Sequence, residues 1–366
     1  MKPRDALSLI TFGLLVAGLA CGQAPVAPTA EPPTPTPAAP SRRVLSISAS
    51  PRLIPEPTVR EWLEATGMAY DAGARGAFAD WRWSNLEGAE GVFDLSEPQE
   101  DIDFLGRSQD LTLLVGLQLL NTTEREVPAD LADVPFDSPE MQVRFHRLID
   151  VLAPHLDRHV HYLSVGNEVD VYLGQHPEEW EAYRSFLDDA SAYVHSVAPW
   201  IQVGTTITFG GATGENAAQV EALTASRDVL IFTYYPLEAD FRPRPPDAPF
   251  TDFPRMIEMA GGRPVILQEV GYPSSEDLES SERAQAEFVE QAFLAWQAEA
   301  EDIPFLNYFL LHDLTPEMCG QLQDYYGLRN AAFEAFLCSL GLRHADGTPK
   351  EAWQTFLDAA RASGIP

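Results

Sequence analysis

Short apolar segments alternate with longer amphipathic segments along most of the chain. Eight apolar segments have the length and composition of strands buried on both faces, at 44–48, 76–83, 111–120, 160–166, 201–207, 229–235, 264–270 and 303–311. Between them, apolar residues recur every three or four positions, which predicts helices at 58–73, 98–108, 138–156, 178–197, 281–300 and 353–362. The pattern therefore predicts an α/β protein.

Regular alternation of strands and helices indicates a parallel sheet. Eight strand–helix units are the number that closes a (β/α)8 barrel, or TIM barrel. The alternative is an open, doubly wound sheet, which commonly binds a nucleotide at a glycine-rich first turn. Neither a G-x-G-x-x-G nor a G-x-x-x-x-G-K-[ST] sequence occurs in the chain. We therefore predict one barrel domain over 43–366.

The first 42 residues differ in composition from the rest of the chain. An apolar run at 7–20 follows Lys2 and Arg4, and it is shorter than the roughly 20 residues of a membrane-spanning helix. The run is typical of a secretory signal, and Cys21 after it resembles the lipidated cysteine of bacterial lipoproteins. We expect a signal peptide at 1–21 and a proline-rich linker at 22–42. They would tether an exported domain to a membrane, at the cell surface or in the periplasm; ordinary secretion and an uncleaved anchor are the alternatives.

The protein is strongly acidic, with a formal net charge of −31 over 366 residues. This charge repels phosphate backbones and anionic headgroups, so it argues against nucleic-acid binding and against membrane contact other than through the lipid anchor. An uncharged ligand is compatible with it. Neither a nucleotide-cofactor motif nor a cysteine–histidine spacing typical of zinc occurs, and we expect no cofactor and no metal. We also expect a monomer.

Two cysteines remain once Cys21 is assigned to the anchor. Cys319 and Cys338 form an even pair in a protein that is expected to reach an oxidising compartment. We predict a disulfide bond between them; two buried free thiols are the alternative.

Two glutamates lie at the ends of apolar strands. Glu168 comes after the fourth predicted strand and Glu269 lies at the end of the seventh. Active sites of barrels lie at the C-terminal ends of the strands, and a buried carboxylate is costly unless it is paired or used. Glycoside hydrolysis requires such a pair, one to protonate the leaving oxygen and one to attack the anomeric carbon, about 5 Å apart in retaining enzymes. We expect the charge of the nucleophile to raise the pKa of the acid.

The residues around both glutamates carry a family resemblance. The sequence SVGNEV at 164–169 is similar to the acid/base strand of the retaining (β/α)8 glycosidase clan, especially of plant-type β-1,3-glucanases and arabinogalactan β-1,4-galactanases. The sequence QEVGYPS at 268–274 resembles the nucleophile strand of these enzymes. The resemblance implies a retaining glycosidase with Glu168 as acid/base, Glu269 as nucleophile and Asn167 as a ligand of the sugar 2-hydroxyl.

The sixth predicted strand also resembles its counterpart in this clan. It ends in TYYP at 233–236, and in the clan a tyrosine hydroxyl there holds the nucleophile. Side chains alternate along a strand, so Thr233 and Tyr235 share a face, and we favour Tyr235 over Tyr234.

Further residues near the strand ends are candidates for contacts to a poly- or oligosaccharide substrate, because aromatic faces suit the apolar faces of pyranoses and polar groups bind hydroxyls. They are Trp81, Trp83, Asn121, Tyr272 and His312. Packing roles fit the two tryptophans and Tyr272 equally well. The chain departs from the clan at the end of the eighth strand, where 308–313 reads YFLLHD and the clan commonly has a tryptophan.

Two alternatives remain, and this departure motivates the first. One is a catalytically inactive, glycan-binding lipoprotein that keeps the barrel. The other is a barrel enzyme of different chemistry, such as a metal-dependent hydrolase, for which His312 and Asp313 are the available ligands at the correct end.

Overall fold

The computed structural model describes residues 43–364. The expected signal peptide at 1–21, the linker at 22–42 and the lipidation site Cys21 lie outside the described residues, as do residues 365–366. The expectations for these N-terminal segments therefore stay predictions.

Within residues 43–364, eight strand positions form one parallel barrel in which each position lies beside its sequence neighbours and the last pairs with the first. The fifth position is split in two. The strands are β1 (Val44–Ile47), β2 (Gly76–Arg82), β3 (Thr112–Asn121), β4 (Val160–Asn167), β5 (Gln202–Gly204 with Thr206–Thr208), β6 (Leu230–Tyr234), β7 (Val265–Val270) and β8 (Phe305–Tyr308). The predicted (β/α)8 barrel is confirmed.

The barrel closes at the split fifth position. Gln202–Gly204 pairs with β4, and Thr206–Thr208 pairs with β6. Between them, the hydroxyl of Thr205 donates to a carbonyl of β4 at 2.7 Å. The hydroxyls of Ser164 and Thr206 share a hydrogen bond of 2.6 Å across the same junction. Buried side-chain hydrogen bonds thus complete the ring where the backbone ladder is interrupted.

Helices surround the barrel and connect its strands. They are α1 (Val59–Asp71), α2 (Ser96–Asp101, continued by a π-helical segment, Ile102–Ser108), α3 (Pro139–Leu152), α4 (Val169–Gln175), α5 (Trp180–Val197), α6 (Phe209–Thr213), α7 (Ala217–Thr224), α8 (Pro249–Ala260), α9 (Glu282–Ala298), α10 (Pro316–Tyr325), α11 (Ala331–Leu337) and α12 (Glu351–Ala362). A two-strand hairpin, Glu87–Ala89 with Val92–Phe93, lies between β2 and α2.

Local sequence explains where the long helices begin. Ser138 and Ser281 precede α3 and α9, and each side chain accepts a hydrogen bond from a backbone N–H three residues on. Pro139 occupies the first turn of α3, where its missing N–H costs nothing. The apolar face of each helix then packs on the barrel.

After β8 the chain builds a segment over the C-terminal end of the barrel, which we call the roof (residues 314–340). It contains α10 and α11. A disulfide bond joins Cys319 to Cys338, the pairing that the sequence predicts. The ammonium group of Lys350 contacts the Asp313 carboxylate at 2.8 Å and the Ser339 carbonyl at 3.2 Å. Both ends of the roof are therefore held in place.

The apolar core has three parts. One fills the barrel interior, a larger one lies between strands and helices, and the third belongs to the roof. None of the helices within the described range is long and apolar enough to cross a membrane.

Candidate active site

A cavity of about 420 Å³ lies at the C-terminal ends of the strands, beneath the roof. Glu168 and Glu269 both line it, together with Asn167 and Tyr235. Four residues that the sequence singled out therefore meet in one place.

The backbone around Glu168 is specialised. Gly166 has φ +88°, and a Cβ there would lie 2.4 Å from the Tyr183 hydroxyl, so only glycine fits. Glu168 itself has φ +46°, a left-handed conformation that is uncommon outside glycine. Such conformations cluster at functional sites. The strained turn directs the Glu168 side chain into the cavity.

Two threonine hydroxyls hold the Glu168 carboxylate. Thr122, directly after β3, donates to Oε2 at 2.8 Å, and Thr233 on β6 donates to Oε1 at 2.7 Å. Both oxygens therefore have a fixed partner before any ligand binds. Neither threonine was a predicted site residue, although Thr233 shares its strand face with Tyr235.

Glu269 is held by the residue directly after the same strand. The Tyr235 hydroxyl donates to Glu269 Oε2 at 2.6 Å, whereas the Tyr234 hydroxyl donates to Asp252 outside the cavity. The structure thus places Tyr235 where the strand periodicity predicts it. Thr233 lies on β6 and Tyr235 directly follows it, two residues further on, so the two carboxylates that they bind are neighbours in the cavity.

A hydrogen-bond chain behind the cavity links the two strands that carry the glutamates. Gln268 is an extra residue in the register of β7 against β6, a β-bulge beside Glu269. Its amide donates to the Asn167 side-chain carbonyl at 2.7 Å and accepts from Thr206 at 2.6 Å. Asn167 donates in turn to Asn121 at 2.9 Å. The residues that precede the two glutamates therefore bind each other directly.

Burial dominates the electrostatics of the pair. It raises the pKa of both Glu168 and Glu269, and the negative charge of Glu168 raises that of Glu269 further. The hydrogen bonds from Thr122, Thr233 and Tyr235 oppose these shifts, because they stabilise the ionised forms. Two interacting carboxylates in one cavity lose their protons in two separate steps. The pair can therefore hold a single proton, as acid and nucleophile must.

Two further carboxyl groups line the cavity, and sequence reasoning missed both. Asp80 on β2 contributes a negative charge that raises the pKa of Glu269. Burial raises the pKa of Asp101, at the end of α2, to about 8. A carboxylate among the small and apolar residues in the middle of β2 was the available signal for Asp80.

The structure places both tryptophan candidates away from the cavity. Trp81 and Trp83 are completely buried. The Trp81 indole donates to Asp101 at 2.8 Å, and the Trp83 indole donates to Glu87 at 2.9 Å. Trp83 also packs edge-on against Phe145 of α3. The expected sugar contacts of both tryptophans are therefore wrong, and both residues have packing roles. Trp81 points from β2 towards α2, and Trp83 packs against α3.

Three other candidates also lie outside the cavity lining. Tyr272 is buried, stacks on Phe288 and donates to the Arg244 carbonyl at 2.7 Å. His312 is also buried; its Nδ1 forms a hydrogen bond with the Ser50 carbonyl, and its Nε2 accepts one from Arg343. Tyr272 and His312 are therefore not available to contact a ligand, and their expected substrate contacts are corrected. Asn121 supports Asn167 from behind and does not reach the cavity.

The eighth strand nevertheless supplies an aromatic ring to the cavity. Phe309, directly after β8, lines it and lies edge-on to Tyr235 at a centroid distance of 6.3 Å. It lies in the segment 308–313, in which the clan that the sequence resembles commonly has a tryptophan.

The metal-dependent alternative finds little support at the strand ends. Burial lowers the pKa of His312 to about 4, but both of its ring nitrogens already have protein partners. Asp313 is paired with Lys350. Within the described range, the group close enough to share a metal ion is His176, Glu178 and Glu179, which lies on the surface outside the cavity.

Comparisons with known proteins support the fold. No protein-family model matches the chain, and no curated protein matches it. A GH5_18 from Bifidobacterium longum subsp. infantis matches with a TM-score of 0.65 at 15% identity, over 88% of this chain and 79% of that chain. An exo-beta-1,4-mannosidase from Opitutaceae bacterium strain TAV5 has a TM-score of 0.67 at 16% identity, over 87% of this chain and 59% of the other. A GH5_18 variant from Streptomyces cattleya, in complex with Manb1-4GlcNAc, has a TM-score of 0.67 at 18% identity, over 88% of this chain and 80% of that chain. These likenesses show a shared barrel.

Proposed function

We propose that the protein is a retaining glycoside hydrolase that cleaves β-linked glycosides, with Glu168 as acid/base and Glu269 as nucleophile. One observation carries the proposal: two half-buried carboxylates from the ends of β4 and β7 face one cavity, one bound by the Thr233 hydroxyl on β6 and the other by the Tyr235 hydroxyl directly after β6. The barrel that it shares with an exo-beta-1,4-mannosidase is consistent with this chemistry.

In the first step, Glu168 transfers its proton to the glycosidic oxygen while the ionised Glu269 attacks the anomeric carbon. The glycosidic bond breaks, the aglycone leaves as an alcohol, and a glycosyl ester forms on Glu269. In the second step, Glu168 takes a proton from water, which attacks the anomeric carbon and releases Glu269. The β configuration is retained.

The surrounding groups serve these steps. Tyr235 holds Glu269 and favours its ionised form. Asn167 uses one N–H on Asn121, which leaves the second for a sugar hydroxyl, since a side-chain amide has two donors. We therefore keep Asn167 as the proposed ligand of the 2-hydroxyl.

Aryl β-glucosides, β-galactosides and β-mannosides provide the test, because a good leaving group reports on Glu269 directly. We expect turnover by the wild type, none by Glu269→Ala, and wild-type rates for Glu181→Ala, which changes an exposed glutamate on α5. Proton NMR of the first product anomer tests retention. Glycan binding without turnover of any substrate would favour the inactive, glycan-binding alternative.

We also propose that the protein is exported and tethered through lipid on Cys21. The apolar run at 7–20 and the proline-rich 22–42 support this proposal. Membrane fractionation of the wild type and of Cys21→Ser tests it: release of the variant alone into the soluble fraction is expected, and equal partitioning would contradict lipidation.

A further inference from the structure

The cavity that contains the proposed catalytic pair has two chemically different ends. The carboxyl, amide and hydroxyl groups of Asp80, Thr122, Asn167, Glu168 and Glu269 cluster at the strand ends. The roof supplies an aliphatic and aromatic wall, with Leu314, Leu322, Leu328, Phe333, Phe336 and Leu337. Its polar member is Tyr326, whose hydroxyl lies beside Thr122 and the two glutamates. The cavity is thus amphipathic.

The apolar wall is a fixed part of the fold. The Cys319–Cys338 disulfide joins the two roof helices, and Lys350 holds the end of the roof beside β7. On the other side, the Tyr325 hydroxyl donates to Glu126 at 2.8 Å and accepts from Asn121 at 3.1 Å. A ligand therefore meets this wall already formed.

A second sugar ring fits this wall poorly. Aromatic rings can stack on a pyranose, but leucine side chains offer no partner to hydroxyl groups. Each hydroxyl that loses water there without a new hydrogen bond weakens binding. An anionic group is also unfavourable, because the carboxylates of the pair lie in the same cavity.

We infer that the group that leaves is an uncharged, apolar aglycone: the sugar occupies the polar end, and an alkyl or aryl group lies against the roof. This inference rests on the proposed function and narrows its substrate class. The aglycone side binds by removing apolar surface from water, so kcat/KM rises with the length of the aglycone until the wall is covered.

Matched glycosides test the inference. The kcat/KM values of methyl and octyl β-D-glucosides, β-D-galactosides and β-D-mannosides are compared with those of cellobiose and β-1,4-mannobiose. The octyl glycosides are kept below their critical micelle concentrations. For the sugar that is accepted, we expect kcat/KM for the octyl glycoside to exceed that for the methyl glycoside by at least about tenfold, a modest share of what several buried methylenes can supply.

Leu328→Asn probes the wall itself. Leu328 lines the cavity and is 40% exposed, so the substitution is tolerable for folding. It should lower the octyl-to-methyl ratio of kcat/KM by about fourfold, the effect of roughly one methylene group. Leu294→Asn is the matched control, since Leu294 is 45% exposed on α9 and outside the cavity lining.

The outcomes separate the two claims. Equal or faster cleavage of methyl glycosides or disaccharides overturns the apolar-aglycone inference and leaves the glycosidase intact. A ratio that Leu328→Asn and Leu294→Asn change alike overturns the role of the roof. Absence of turnover for all of these substrates and for the aryl glycosides overturns the proposed function, and the inference with it.

Discussion

Glu168 and Glu269 are each held by a hydroxyl group that the barrel brings from another strand. The identity of the two glutamates follows from the sequence, because each directly follows or ends a run of small and apolar residues. Their hydrogen-bond partners follow from the fold. Among them, only Tyr235 could be predicted, from the two-residue period of a strand and the family resemblance.

We expect Tyr235→Phe to lower kcat by roughly 10- to 100-fold, since a hydrogen bond to a charged group contributes about 1.5–3 kcal/mol. Loss of the phenol also raises the pKa of Glu269, so the acidic limb of the kcat/KM profile moves to higher pH. Tyr193→Phe is the matched control, because its hydroxyl also donates to a carboxylate, Asp150, at 2.6 Å but at the surface. An unchanged profile in Tyr235→Phe would argue against the role of Tyr235.

The pKa of Glu168 should fall in Glu269→Gln. Burial disfavours ionisation of Glu168. We expect the charge of Glu269 in the same cavity to disfavour it as well, by like-charge repulsion, and the variant removes only this second cause. The pKa of Glu168 therefore moves down and still stays above the ordinary range for glutamate. Carboxyl ¹³C NMR across a pH titration measures it. A pKa that stays the same in wild type and variant would mean that the two carboxylates do not interact.

At the scale of elements, the strands agreed with prediction because each is a compact apolar run bounded by polar residues. The eighth strand is shorter than predicted and ends at Tyr308, since Phe309 and Leu310 leave the sheet and pack against the roof. The predicted helix at 98–108 begins earlier, at Ser96, and changes winding at Ile102. Helices α10 and α11 were not predicted, because their apolar residues face the cavity and each other rather than the barrel.

Lys350 connects the segments that follow β7 and β8 with the end of the roof, and it should be essential for stability. Its ammonium group is buried and paired with Asp313 at 2.8 Å. Lys350→Met leaves the Asp313 carboxylate buried without its counter-charge, so we expect a loss of about 3–5 kcal/mol in the free energy of unfolding. Urea denaturation measures this loss. Arg361→Met, which removes an exposed pair with Asp358, should stay close to the wild type.

At the scale of the whole molecule, the barrel is a broad scaffold and the roof is a small addition held at few points. The disulfide closes a loop with a sequence separation of 19 residues. Such a cross-link restricts the unfolded chain more than the folded one. It stabilises the fold and keeps the apolar wall above the carboxylates.

We expect reduction of Cys319–Cys338 to lower the free energy of unfolding by about 3 kcal/mol, as loop-closure entropy predicts for a loop of this size. Thermal unfolding with and without a reductant measures the change. The double variant Cys319→Ala/Cys338→Ala should match the reduced wild type and no longer respond to reductant. A melting temperature of the wild type that is insensitive to reductant would contradict this role.

The sequence by itself determined the order of strands and helices, the positions of Glu168 and Glu269 at the strand ends, and the pairing of Cys319 with Cys338. These are local or countable properties: hydrophobic period, chain position after a strand, and an even number of cysteines. In a parallel barrel the C-terminal ends of all strands lie on the same face, which carries the active site. A residue that directly follows a strand can therefore be placed on this face from the sequence alone.

Only the tertiary structure decided which other side chains reach the cavity. Both faces of a barrel strand are buried, so an apolar strand does not reveal which face points inward. Asp80 therefore lines the cavity, while its neighbour Trp81 packs against α2. The roof was equally hidden, because its leucines and phenylalanines have the composition of an ordinary core. Their function depends on what lies opposite them, and that is a property of the folded chain alone.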